Sequence, residues 1–210
     1  MAAPVVRPGV GRREQILAVA AQLFARHGFH GVSIAELGAA VGVSGPALYR
    51  HFPGKEALLA EMLVGISEHL LAGGRERAGG EPRAVLDALV DFHSDFAWRE
   101  PELIVVQDRD LANLPDEARH HVRRLQRTYV EIWADTLRRL HPGLSAEAAR
   151  VAAHGAFGLL NSTPHAGRSP DAAARLRRMA LAALTDPALA DPALADPTLA
   201  DAVPAPQEGA

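Results

Sequence analysis

The 210-residue chain contains no cysteine, so neither a disulfide framework nor a thiolate metal site can organise it. Lysine is nearly absent too: Lys55 stands alone against 21 arginines. Aromatic residues make up only 5%, and no alternating β-branched stretch occurs, so a sheet-based core is not expected. No uninterrupted apolar run reaches 18 residues, and the amino terminus MAAPVVRPGVGRREQ lacks an apolar signal core. These absences predict a soluble, cytoplasmic protein with no membrane partner. A basic balance is missing as well, since the net charge is −3.

That charge is unevenly divided. Residues 1–56 carry six basic and three acidic side chains, net +3, and the remaining 154 residues carry −6. A basic amino-terminal end on an acidic chain is an electrostatic footprint for nucleic acid. The hydrophobic share of 48% is ample for a helical core.

The basic end also carries the most informative stretch, VSIAELGAAVGVSGPALYRHFPGKEAL, from Val32 to Leu58. Ser33 followed by Glu36 fits a capping box at a helix start. Ile34, Leu37 and Val41 then repeat at helical spacing, and Gly38 keeps that face thin where another helix crosses. Gly42 suits the left-handed residue of a sharp stop. Ser44 can cap a second helix, with Pro46 tolerated in its first turn. Leu48 and Phe52 bury one side of that helix, leaving Tyr49, Arg50 and His51 to point elsewhere. Two short helices joined by a glycine turn form the unit whose second helix enters a DNA major groove.

The preceding helix and this unit, GRREQILAVAAQLFARHGFHGVSIAELGAAVGVSGPALYRHFPGKEALL, resemble the amino-terminal domain of TetR-type transcriptional regulators over about a quarter of the chain. The Gly28-Phe29 pair, Gly42-Val43-Ser44 and the Tyr-x-His-Phe-x-x-Lys run at Tyr49, His51, Phe52 and Lys55 carry the match. The resemblance implies an all-α protein: a three-helix DNA-binding head followed by a larger helical domain for ligand binding and dimerisation. It divides the chain into a basic arm at 1–11, the head at 12–55, the helical domain at 56–185 and a tail at 186–210.

The expected DNA contacts are Arg12, Ser33, Ser44, Gly45, Pro46, Ala47, Tyr49, Arg50, His51 and Lys55. Arg7, Arg12 and Arg13 suit phosphates or a minor groove, as basic arms do. The resemblance assigns Tyr49, His51 and Lys55 mainly to phosphates. Arg50 is the long donor left on the reading helix, able to pair with guanine, and the Ala47 methyl suits thymine. The expected partner is a pseudo-palindromic double-stranded operator bound by a homodimer.

Helical periodicity continues through Leu58–Leu70, Leu86–Ala97, Leu103–Leu114, Val122–Leu140, Ala149–Leu160 and Leu176–Leu184, with breaks at Gly73-Gly74 and Gly79-Gly80. The resemblance pairs the last two helices with a second copy. The interface residues would be Ala152, Gly155, Ala156, Leu159, Leu176, Met179, Ala180 and Ala183. It also implies a small-molecule effector in the second domain. Candidate contacts are His93, Phe96, Gln107, Arg109, Tyr129, Trp133 and Asn161, polar or aromatic groups on or near apolar helix faces. An acyl-CoA or other lipid-derived acid is the effector class suggested by the resemblance. No cofactor and no metal are expected. The competing reading is a helical metal hydrolase using His69, His93, His120, His121 or His154 with Asp95 or Asp108. No HExxH or HxxxH pair supports it, and His120 and His121 are adjacent and face different ways. Residues 186–203 repeat DPALA, DPALA, DPTLA and DAV, a proline- and aspartate-rich pattern that predicts a disordered tail.

Overall fold

The computed structural model describes residues 11–166 and 169–191. Among them there is helix and no strand. The head consists of α1 (Arg12–His27), α2 (Ile34–Val41) and α3 (Gly45–Leu48). The body follows as α4 (Lys55–Arg77), α5 (Pro82–Arg99), α6 (Pro101–Asp110), α7 (Asp116–Leu140), α8 (Ala146–Leu160) and α9 (Pro170–Thr185).

Helix α1 buries Ile16, Ala20 and Phe24 and stops at Gly28, whose φ of 78° favours glycine. It packs on α2, α4 and α6, so the head sits directly on the body. Helix α7 is the central member, packed by α4, α5 and α8, while α9 closes the side made by α5 and α8. One continuous core runs from Ile16 and Phe52 in the head to Trp133, Ala153 and Leu184 in the body.

Two boundaries differ from the sequence expectation. Helix α4 does not stop at Gly73-Gly74 but runs on to Arg77. Both glycines are buried contact points: a Cβ on Gly73 would lie 2.1 Å from the Phe92 ring, and one on Gly74 2.7 Å from the Tyr129 ring. Their lack of a side chain admits α5 and α7, which outweighs the poor helix propensity of glycine. Helix α4 also contains an 18-residue stretch of mean hydropathy 1.3, but 56% of it is buried inside the bundle, as befits a core helix. The second difference lies in the tail. Its first DPALA unit forms a 3-10 turn over Pro187–Ala190, capped by the Asp186 carboxylate accepting from the Ala188 N–H at 2.9 Å. Leu189 and Ala190 pack on the core. The later repeat units, and the arm up to residue 10, lie outside the described residues.

Candidate nucleic-acid interface and effector cavity

The reading unit is fixed by its own caps. The Ser33 hydroxyl accepts from the Glu36 N–H at 3.2 Å and donates to the Glu36 carboxylate at 2.8 Å, while the Ser33 N–H donates to it at 2.7 Å. These bonds, the backbone one first, hold the Glu36 carboxyl below its ordinary range. Gly42 turns the chain in the left-handed region at φ 71° and ψ 35°. Gly38 is buried for close approach, yet what approaches is the turn itself: a Cβ there would sit 2.8 Å from the Val43 carbonyl oxygen. Ser44 then caps α3, accepting from the Ala47 N–H at 3.3 Å.

Regular helix in α3 is short. Beyond Leu48 the turn tightens, with the His51 N–H donating to the Leu48 carbonyl at 2.9 Å. This places Ser44, Pro46, Tyr49 and Arg50 in solvent, Tyr49 being 53% exposed, with Gly45, Ala47 and His51 half-buried. Leu48 and Phe52 are buried as expected. The segment offers a tyrosyl and a guanidinium group to a ligand, side by side.

Arg12, Arg13 and Lys55 are tied to the head's backbone. The Arg12 guanidinium donates to the Val41 carbonyl at 2.6 Å, closing the end of α2. Arg13, read with the arm as suiting phosphates or a minor groove, forms a strut: it pairs with Glu61 of α4 (Nε–Oε1 2.6 Å), donates to the His51 carbonyl at 2.6 Å, and lies 4.3 Å over the Phe52 ring. The Lys55 ammonium donates to the Phe29 and Val32 carbonyls at 3.1 and 3.3 Å, over the Phe29 ring at 4.5 Å. It therefore fixes the loop before α2 at the amino end of α4, where a helix terminus also favours an anion.

The residues expected to bind an effector do not form one pocket. His93, Tyr129, Trp133 and Asn161 do come together, but they close on one another. Asn161 Oδ1 can only accept, so the His93 Nε2–H donates to it at 3.0 Å and Nδ1 accepts from the Tyr129 hydroxyl at 3.3 Å. Phe157 stacks on His93 at 4.9 Å and Trp133 meets Phe157 edge-on at 4.9 Å. Burial lowers the His93 pKa to about 4, so the ring is neutral near pH 7; burial also raises the Tyr129 hydroxyl pKa. The Trp133 indole N–H is buried without a hydrogen-bond partner. Arg109 stands apart from this cluster: it is held by Asp110 (2.9 Å) and donates to the carbonyls of Phe24 and of Ala25 (3.2 Å) at the end of α1. Gln107 lies half-buried nearby in α6.

The large cavity lies elsewhere. A cleft of about 950 Å³ opens between the head and the body, lined by α1, α4, α5 and α6. Leu17 and Ala18 form its head side, Met62, Gly65 and Ile66 the α4 wall, Phe92 and Phe96 the α5 wall, and Leu103 the α6 wall. Of the expected effector contacts, only Phe96 lines it. Helical periodicity marked most of these residues as core. Nothing local shows that α1, α4, α5 and α6 leave a cleft among them.

On the outer face of α8 and α9, Gly155 and Met179 are exposed and Ala152, Leu159 and Leu176 half-buried, with Ala183 also in solvent. Val151, 66% exposed, extends this face and was not anticipated. Ala156 and Ala180 do not belong to it, because both turn inward against their own chain, at 3% and 0% exposure. The histidines of the hydrolase reading are dispersed: His120 bonds the Asp116 carbonyl and His121 lies 2.6 Å from Arg124. Among the described residues no group of three potential metal ligands converges.

Comparison with known proteins agrees with this architecture. Residues 16–62 match the family described as bacterial regulatory proteins, tetR family, and residues 79–165 match a tetracyclin repressor-like C-terminal domain. The transcriptional repressor KstR2 of Rhodococcus jostii is 32% identical over 130 residues, covering 60% of this chain and 64% of that protein. The crystal structure of a TetR-family regulator from Bordetella parapertussis superposes with a TM-score of 0.73 at 30% identity, covering 80% of this chain and 93% of that one. FadR of Bacillus subtilis, solved with stearoyl-CoA, shares the fold at 18% identity and a TM-score of 0.67, over 83% of this chain and 98% of that one. Head, body and both matched segments lead to one conclusion: the chain belongs to the TetR family of DNA-binding transcriptional regulators.

Proposed function

We propose that the protein is a homodimeric repressor that binds a pseudo-palindromic operator and is released when a small molecule enters the cleft between head and body. The observation that carries this reading is the composition of the cleft walls, since α1 belongs to the head and α4, α5 and α6 to the body. A ligand there touches both bodies at once and so has a differential affinity for their relative positions, the requirement for coupling. The exposed Val151 and Met179 on α8 and α9 support pairing through that face. The domain limits read from the sequence serve this scheme: head to residue 55, effector and dimer domain to 185.

In the complex, Tyr49 and His51 grip phosphates, Arg50 reads guanine, and the Lys55 ammonium, already held at the helix start, meets a phosphate there. KstR2 is a repressor by name and FadR was solved with an acyl-CoA, which supports an amphipathic effector for this chain. Selection of bound sequences from random DNA, on wild type, Arg50→Ala and Lys55→Ala, tests the head. Arg50→Ala should relax one guanine per half-site, whereas Lys55→Ala should weaken all sequences alike and flatten the salt dependence. An unchanged base preference in Arg50→Ala would assign that side chain to phosphate. A ligand that binds tightly and leaves operator affinity unchanged would reject release by induction.

A further inference from the structure

Two guanidiniums of α7 stand unpaired. Arg123 and Arg127, four residues apart on the outer face of the helix, are exposed, and among the described residues neither side chain has a hydrogen bond or an ion pair. From Ala118 to Val130 the helix carries no carboxylate, and α8, packed beside it, carries none after Glu147. The acids at the borders of this stretch are engaged or distant. Glu131, one turn beyond Arg127, accepts from Arg150 through both oxygens, at 2.6 and 3.3 Å. Asp116 is taken by Arg119. Glu68 of α4 lies 3.7 Å from His121, and the His121 Nδ1 accepts from Arg124 at 2.6 Å, so that third guanidinium is drawn toward α4. Glu117 is roughly 9 Å along the axis from Arg123, about one Debye length at physiological salt.

We infer that this face of α7 binds a small polyphosphate-bearing anion, gripped by Arg123 and Arg127 with Arg124 at its edge. Side chains four apart on a helix have Cβ atoms about 5–6 Å from one another, so a chain of two or three phosphoryl groups spans both. Each guanidinium offers a planar fork of donors that matches a phosphate with two parallel, charge-assisted bonds. Unpaired like charges at this spacing repel, and one multiply charged anion between them turns that repulsion into attraction. A single carboxylate would neutralise one guanidinium and leave the other opposed. The surface is separate from the cleft, whose walls are α1, α4, α5 and α6, and the inference does not depend on that cleft. It is also set back from the DNA-reading segment: α7 meets α4 at Glu68, roughly 20 Å along that helix from Lys55. Operator phosphates at the head therefore do not fill it.

The full-length protein is titrated calorimetrically with inorganic tripolyphosphate at about 50 mM salt, where exposed charges are little screened. The test variant is Arg123→Gln combined with Arg127→Gln. Both positions are exposed and glutamine is a good helix former, so the fold is retained, as circular dichroism verifies. The control is Arg83→Gln combined with Arg175→Gln, which removes the same charge from guanidiniums already paired with Asp87 at 3.3 Å and Asp171 at 2.8 Å. Tripolyphosphate should bind wild type, weaken about tenfold or more in the α7 variant, and change less than about twofold in the control. Equal weakening in the two variants would reduce the site to diffuse charge and overturn the inference. Absence of tripolyphosphate binding to wild type would overturn it too. So would binding that is lost in Lys55→Ala and kept in the α7 variant, which would place the anion at the head. A non-specific duplex of about 20 base pairs is titrated in parallel. Weakened duplex binding in the α7 variant, with tripolyphosphate unaffected, would give the face to DNA instead.

Discussion

Removing the Arg109 guanidinium should loosen the joint between head and body. In the intact protein Asp110, 3% exposed, holds the guanidinium at 2.9 and 3.2 Å, and the guanidinium in turn donates to two carbonyls ending α1. In Arg109→Ala both carbonyls lose the guanidinium, that of Phe24 keeping the Gly28 N–H at 2.8 Å, and the buried carboxylate keeps Asn113 Nδ2 at 3.5 Å. Breaking a fully buried pair costs about 3–5 kcal/mol. The Arg109 side chain is 43% exposed, so water screens it and takes over part of the lost bonding. About 2 kcal/mol is therefore expected. Urea unfolding followed by circular dichroism measures it, and a double-mutant cycle with Asp110→Asn isolates the pair. A loss under about 0.5 kcal/mol, the range of neutral surface changes, would refute the joint. The functional corollary is a smaller ratio between operator affinities with and without effector, at unchanged effector binding chemistry. An unaltered ratio would show that coupling bypasses α6.

Three further outcomes follow from named contacts. His93 has a folded-state pKa of about 4 against 6.5 when unfolded, so the stability of its neutral form is full above pH 6.5 and lost as pH falls toward 4. Between pH 7 and 5 that loss is about 2 kcal/mol, and His93→Gln should remove this component from the pH dependence of urea unfolding; an equal slope in the variant would refute it. Glycine to alanine should have opposite signs within α4: Gly65→Ala raises stability by about 0.5–1 kcal/mol, whereas Gly73→Ala forces Phe92 aside and costs about 1–3 kcal/mol by thermal or urea unfolding. Gly155→Arg combined with Met179→Glu should shift light scattering from dimer to monomer, and a persistent dimer would place the interface off the α8–α9 face.

How much of this was legible depended on the range of the interaction. The Ser33–Glu36 box, the Gly42 turn and the Ser44 cap are local, with donor and acceptor a few residues apart, so sequence alone located the head. Gly73 and Gly74 read locally as a helix stop, but their meaning is the space they give to Phe92 and Tyr129 from other helices. Arg13 was read with the basic arm as suiting phosphates, and Arg109 as an effector contact because it is a polar group near an apolar helix face. Their partners are the carboxylates of Glu61 and Asp110 and the backbone carbonyls of His51, Phe24 and Ala25, and the carbonyls leave no mark in a sequence. Small residues on α8 and α9 announced close helix approach, yet not which neighbour approaches, and so Ala156 and Ala180 were placed on the wrong side. His93, Tyr129, Trp133 and Asn161 were read as effector contacts because they stand on or near apolar helix faces. That His93 would bond both Tyr129 and Asn161 required the crossing of α5, α7 and α8.

Lys55 is the chain's only lysine, half-buried where the loop before α2 meets the first turn of α4. An amine-acylating reagent therefore meets a single side-chain target in the whole protein. That target reports on its surroundings without any engineered label. Its acylation rate, read by mass spectrometry on the peptide that contains Lys55, rises if the Phe29 and Val32 carbonyls let go and falls if a phosphate settles on the ammonium. The scarcity of lysine thus gives the protein one side-chain amine to footprint, at the point where reading head and body join.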